Sequence, residues 1–147
     1  MTLKHKFEIE ISKPLDQVIK LFSNRDHLPK WQHGLLSEEP LPLLDGQRSY
    51  KLTFQLGRRK MKMTETIIRD ALPAHYDIQY KMKGVKHSIQ NSFSAVNDNK
   101  TKWISEVEYR FTGLMNLIAR FMKSGFEQQS RALMYSFKTF AEGYGKK

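Results

Sequence analysis

The sequence predicts an α+β chain in which one antiparallel sheet, apolar on a single face, is covered by a long C-terminal helix. Two observations carry this. From Gly46 to Phe111, apolar residues recur at every second position in successive runs separated by turn residues, which is the period of half-buried strands. Residues 114–142 then contain no proline and carry their charges at helical spacing. At 147 residues, 39% hydrophobic and 12% aromatic, the chain is long enough to bury a core and too apolar to be disordered, so residues 1–147 are expected to form one domain.

The first run, "LKHKFEIEI" (3–11), places Leu3, Phe7, Ile9 and Ile11 on one face and charges on the other. "SKPLDQVIKLF" follows, with Pro14 at a helix start and Leu15, Val18, Ile19 and Phe22 on one face. "RDHLPKWQHGLL" reads as a second short helical turn, broken near Pro29 and closed by Gly34. Pro40 and Pro42 predict that any strand around 35–39 is short.

The meander comes next. "QRSYKLTFQL" presents Tyr50, Leu52, Phe54 and Leu56, and Gly57-Arg58 turns the chain into "RKMKMTETIIRD", which presents Met61, Met63, Glu65 and Ile67. "AHYDIQYKM" presents Tyr76, Ile78, Tyr80 and Met82. After Gly84, Val85, His87, Ile89, Asn91 and Phe93 share one face. After "NDNK", so do Trp103, Ser105, Val107, Tyr109 and Phe111. The opposite faces are rich in Lys and Glu, so one side of the sheet meets water.

Residues 114–142 are expected to be a single helix of about 40 Å. Arg120, Lys123, Glu127, Arg131, Lys138 and Glu142 form its polar stripe. Directly opposite, at 100° per residue, lie Ile118, Met122, Gly125, Gln129, Leu133, Ser136 and Phe140, the face expected to meet the sheet.

This order of elements, with "SKPLDQVIKLF" after the first strand and the Trp of "LPKW", resembles the START-like superfamily, also called SRPBCC or helix-grip. Its members include polyketide cyclases, lipid-transfer START domains, plant hormone receptors and Bet v 1-like pollen allergens. The resemblance covers nearly the whole chain and rests on Pro14, Trp31 and the amphipathic terminal helix. It implies a helix-grip fold: a curved sheet of about seven strands wrapped around the helix, two short helices between the first two strands, and an apolar ligand held between sheet and helix. No particular reaction is implied.

Residues point to the same cavity. At the helix centre Gly125, Gln129 and Ser136, between Met122 and Leu133, stand where a dry core would prefer Leu or Ile. Small and polar side chains there leave space and a hydrogen-bonding handle. The plainer alternative is that Gly125 admits close packing or a kink and Gln129 bonds to backbone. From the sheet, Tyr50, Phe54, Met63, Tyr76, Ile78 and Tyr80 are expected to form the walls with Phe93 and Trp103. Glu65, His87, Asn91 and Ser105 share their parity and would supply polar contacts. A buried, unpaired carboxylate has its pKa raised, and His87 would act as a donor or proton shuttle, so Glu65 and His87 are the candidates for catalysis. The alternatives are a β-bulge that turns Glu65 outward and, for His87 and Asn91, core side chains satisfied by hydrogen bonds within the protein. Trp31 is expected to pack inward at the cavity's mouth, and His27 and His33, six apart, to face solvent.

Other chemistries lack their signatures. The chain has no cysteine, no Gly-rich phosphate loop and no nucleophile elbow, and its five His residues show no metal-ligand spacing, so neither cofactor nor metal is expected. The opening residues carry charges where a signal peptide is apolar, which predicts a cytosolic protein. The net charge of +10 favours anionic partners, but only "GRRKMK" is dense, so no nucleic acid is expected. Arg58, Arg59, Lys60 and Lys62 are candidates for weak contact with an anionic membrane. The sequence thus supports a binder of a hydrophobic or amphipathic small molecule. Its rivals are a cyclase- or dehydratase-like enzyme using the same cavity, and a protein–protein module like the START-like domains of chaperone activators, with a filled interior and an exposed apolar patch.

Overall fold

A computed structural model describes residues 1–146. Strand β1 (Thr2–Ile11) leads into helix α1 (Leu15–Ser23), a 3₁₀ turn (Arg25–His27) and the single-turn helix α2 (Leu28–Trp31). Six strands follow: β2 (Leu35–Leu44), β3 (Gln47–Leu56), β4 (Arg59–Ala71), β5 (His75–Met82), β6 (Val85–Asn97) and β7 (Lys100–Phe111). Helices α3 (Leu114–Phe121) and α4 (Lys123–Gly143) end the chain. The seven strands form one antiparallel sheet in the order β1-β7-β6-β5-β4-β3-β2, the α+β arrangement expected.

Strand parity holds along β1, β3, β5 and β7 and along β4 and β6 up to their bulges, whereas the outer strand β2 shifts register twice. Leu52, Ile67, Ile78, Ile89, Val107 and Phe7 are buried on the inward face, because each strand offers a single apolar side to the helices. The strands and short helices meet around Phe22, whose ring lies 4.9–5.7 Å from those of Trp31, Tyr76, Phe93, Trp103 and Phe137. Trp31 stacks on Phe22 and the other four rings meet it edge-to-face, which fixes α1, α2 and α4 against β5, β6 and β7.

Three expectations need correction. First, β2 is not short: it runs ten residues through Pro40 and Pro42 and pairs with β3, Pro40 facing Tyr50. It is the sheet's outer strand, where a missing N–H breaks no ladder bond on the free side. Pro29 likewise sits in the first turn of α2 and starts that helix instead of breaking it.

Second, residues 114–142 are two helices. Met122 (φ −114°, ψ 16°) leaves helical geometry between α3 and α4, with no Pro or Gly to announce it.

Third, the inward face of α4 consists of Phe126, Ser130, Met134, Phe137 and Ala141, about 100° from the face expected. Ile118, Met122, Gly125 and Gln129 are exposed, Ser136 and Phe140 are half-buried, and Leu133 packs at the margin of the core. The charged stripe does not point straight out to water. Lys138 donates to the Glu10 carbonyl (2.5 Å) and to Glu142 (2.9 Å), and Glu142 accepts from the Ser12 amide (2.7 Å). Burial of Phe126, Met134, Phe137 and Ala141 turns that face inward, and the bonds from Lys138 and Glu142 to the β1 end are compatible with it.

Candidate functional site

The 3₁₀ turn is held by Asn24, whose side chain accepts from the Asp26 amide (3.0 Å). That turn aims Arg25 across the inward face of the sheet. Its Nη2 donates to Glu65 on β4 (2.6 Å), its Nε to Glu38 on β2, and its guanidinium carbon stands 3.7 Å from the centre of the Tyr50 ring on β3. Glu65 is only 2% exposed and keeps its inward parity; the bulge in β4 comes later, between Ile67 and Arg69. A carboxylate so deep requires a cation, and Arg25 supplies it with the planar fork suited to the task. Burial lowers the Arg25 pKa, but the charges and hydrogen bonds of Glu65 and Glu38 outweigh this and hold it above its ordinary value.

The strand register carries this group across the sheet. Tyr50 faces Glu65, Glu65 faces Tyr80, Tyr80 faces His87, and His87 faces Tyr109. These five inward residues form a transverse polar belt. His87 stacks on Tyr109 with ring centres 4.0 Å apart and planes 13° apart, and its ring centre lies 5.5 Å from that of Tyr80. Tyr109 Oη and Ser130 Oγ on α4 share a hydrogen bond of 3.1 Å, which ties the belt's end to the helix.

On one side of the belt runs an apolar row, Leu52, Met63, Met82, Val85 and Phe111. On the other runs Ile67, Ile78, Ile89 and Val107.

Burial sets the acid–base character of the belt. It pushes the Tyr80 hydroxyl well above its usual range, helped by the negative charge of Glu65, and raises that of Tyr109 against the opposing bond from Ser130. Tyr76, beyond the row of Ile78, is pushed up to about 12 by burial and then by Glu65. His87 is pushed down to about 3 by desolvation. It is therefore neutral at pH 7, and its Nε2, shielded from water, has no hydrogen-bond partner among the described residues.

The other expected site residues divide. Tyr50 is the belt's first member, Ile78 lies in the core, and Phe54, Met63 and Leu133 pack half-buried against that core. Asn91 is committed elsewhere, accepting from the Trp103 indole (2.9 Å) and donating to the Tyr76 carbonyl (3.2 Å); Ser105, opposite it in register, is buried. Trp31, Phe93 and Trp103 belong to the packed aromatic cluster around Phe22, where Trp31 is inward as expected. His33 is exposed, whereas His27 is half-buried against Phe140 and Tyr144. Ser136 lines an open depression of about 440 Å³ between α2 and α4, with Lys30, His33 and Tyr135. A second, of about 430 Å³, is lined mainly by outward residues of β1, β6 and β7. Met122, Gly125 and Gln129, being exposed, do not reach the belt.

Arg25, Glu38, Ser130 and His5 were not among the expected site residues. His5 was visible in principle: it shares the parity of Leu3, Phe7, Ile9 and Ile11, and its Nε2 is also shielded without a partner among the described residues.

No family model matches the sequence, and no curated protein sequence matches it. Solved structures do match its shape. An aromatase/cyclase, Zhui, from a Streptomyces species superposes with a TM-score of 0.79 at 12% identity, covering 97% of this chain and 95% of that one. Norcoclaurine synthase from Thalictrum flavum gives 0.75 at 16% identity, covering 100% and 96%. Ara h 8.0201 gives 0.74 at 15%, covering 96% and 98%. The chain therefore shares the helix-grip fold of these structures.

Proposed function

We propose that the protein is a cytosolic binder of a hydrophobic or amphipathic small molecule, held against the inward face of the sheet with its polar group on the Tyr50–Glu65–Tyr80–His87–Tyr109 belt. The observation that carries this reading is the belt itself: Glu65, Tyr80 and Tyr109 buried and Tyr50 and His87 half-buried between two apolar rows, with the shielded His87 Nε2 unpartnered among the described residues. A core built only for stability has little use for such a row, since each unsatisfied buried polar atom costs about 1–3 kcal/mol. A ligand with an apolar body and one hydroxyl or carbonyl satisfies both parts.

Binding is favoured over acid–base catalysis by the same groups. An effective general acid or base titrates near the working pH. His87 lies far below pH 7 and Tyr80 far above, while Glu65 is engaged by Arg25. Among proteins of this fold, norcoclaurine synthase has been captured with dopamine and hydroxybenzaldehyde, so the architecture accommodates small aromatic molecules.

Titration with the amphipathic dye 8-anilinonaphthalene-1-sulfonate tests the reading. Saturable enhancement is expected, with His87→Phe and Tyr80→Phe each weakening the affinity several-fold while melting cooperatively. Enhancement that never saturates, or that both variants leave unchanged, would count against an interior site.

A further inference from the structure

Helix α3 is amphipathic in an unusual sense: its apolar side faces out. Leu114 and Phe121 are 81% and 84% exposed, and Leu117, Ile118 and Met122 complete the same stripe at positions i+3, i+4 and i+8 from Leu114. The opposite side is what holds α3 to the sheet. Ala119 is buried, and Met115 packs on Gly84 in the β5–β6 turn, where a Cβ would fall 2.6 Å from Met115 Cγ. The Thr112 amide donates to the Gly84 carbonyl (3.0 Å). Docking of α3 thus leaves five large apolar side chains in water, a contiguous patch that calls for a partner.

The register shows what surrounds this patch. The β3–β4 hairpin, the β5–β6 turn, the end of β7 and the start of β1 all lie at the same end of the sheet as α3. The four segments, residues 1–4, 56–62, 81–86 and 110–124, contain eleven of the 25 Lys and Arg and none of the 15 Asp and Glu. The rest of the chain carries 14 basic against 15 acidic residues, so the whole net charge of +10 belongs to this end. Glu108, just below it on β7, is paired with Arg110 (2.8 Å). Basic residues that look scattered in sequence are gathered by the fold.

We propose that this end docks on an anionic lipid bilayer. The outward stripe of α3 seats in the boundary between headgroups and acyl chains, and the surrounding Lys and Arg lie against the anionic headgroups. An apolar helix face rimmed by cations is the pattern that lipid surfaces recognise. The charge selects a bilayer over a second copy of this chain, because a dimer through this end would bring two +11 surfaces together.

Flotation of the full chain with lipid vesicles tests this. Vesicles of phosphatidylcholine with about a third phosphatidylglycerol should carry the protein at least about tenfold more than phosphatidylcholine alone, and about 0.5 M salt should reduce the difference. Leu117→Ser with Phe121→Ser should cut partition at least about tenfold, as should Arg58→Glu with Arg59→Glu on the separate hairpin. All four positions are exposed, so both variants should keep the wild-type Tm. No flotation with anionic vesicles, equal flotation with neutral ones, or flotation unaffected by both variants would overturn the proposal. So would a concentration-dependent dimer, dispersed by Phe121→Ser, in a protein that ignores vesicles.

Discussion

Replacing Arg25 by Met strips the Glu65 carboxylate of its guanidinium while filling much of the same volume. The Glu65 side chain is 2% exposed and that of Arg25 21%, so water cannot readily take the partner's place. Breaking a buried pair from one side costs about 3–5 kcal/mol, most of it the penalty of an uncompensated charge. A urea m-value of about 2 kcal/mol/M converts this into a midpoint about 2 M lower. Glu65→Gln is the gentler perturbation: it removes the charge but keeps a hydrogen-bonding group, and Arg25 retains Glu38, so about 1–2 kcal/mol is expected. In Arg25→Met/Glu65→Gln no unpaired charge remains at position 65, and the double variant should be about 2 kcal/mol more stable than additivity requires. Equilibrium urea unfolding of the four proteins gives the cycle. If Arg25→Met costs under about 1 kcal/mol, or the two losses simply add, Arg25 is not the counter-ion of a buried carboxylate and the belt's electrostatics are misassigned.

Two further outcomes follow. His87 has an ordinary pKa of 6.5 and a native value pushed down to about 3, so the unfolded chain binds a proton that the native one refuses between these limits. Its contribution is fully present above pH 6.5 and is lost as pH falls, the loss amounting to about 2 kcal/mol at pH 5. The stability difference between wild type and His87→Phe should shift by that amount between pH 7 and pH 5; a constant difference would contradict burial of the neutral imidazole. Gly34 closes the Trp31 turn with φ +86°, and an added Cβ would lie 2.7 Å from the Gln55 carbonyl oxygen, itself backbone. Gly34→Ala should therefore lower Tm by at least about 4 °C, and an unchanged Tm would show that the turn can relax.

The parts of the fold legible in the sequence are those governed by one local period. Alternation from Tyr50 to Phe111 places the inward faces of β3 to β7, because a slip of one residue would expose the whole set. The second face of α4 is harder. Ser130 and Gln129 are equally polar on paper, but Ser130 shares its face with Phe126, Met134, Phe137 and Ala141, and the charged stripe obscures that apolar row. The break at Met122 carries no local signal, since a Met between Phe121 and Lys123 fits an unbroken helix as well.

The site is legible to the same degree. Glu65, His87, Tyr50 and Tyr80 are visible by parity, but the belt needs the register, which joins residues up to 59 positions apart. Arg25 was missed because its partner is 40 residues away. The clue was the inward Glu65 itself, which demands a cation from some other element.

The proposed function requires a small molecule on the belt, and native mass spectrometry of the protein purified from its own host tests that most directly. A single co-purifying mass, retained by wild type and lost from His87→Phe/Tyr80→Phe, is the predicted result. A clean apo mass, or an adduct that the double variant keeps in full, would contradict it.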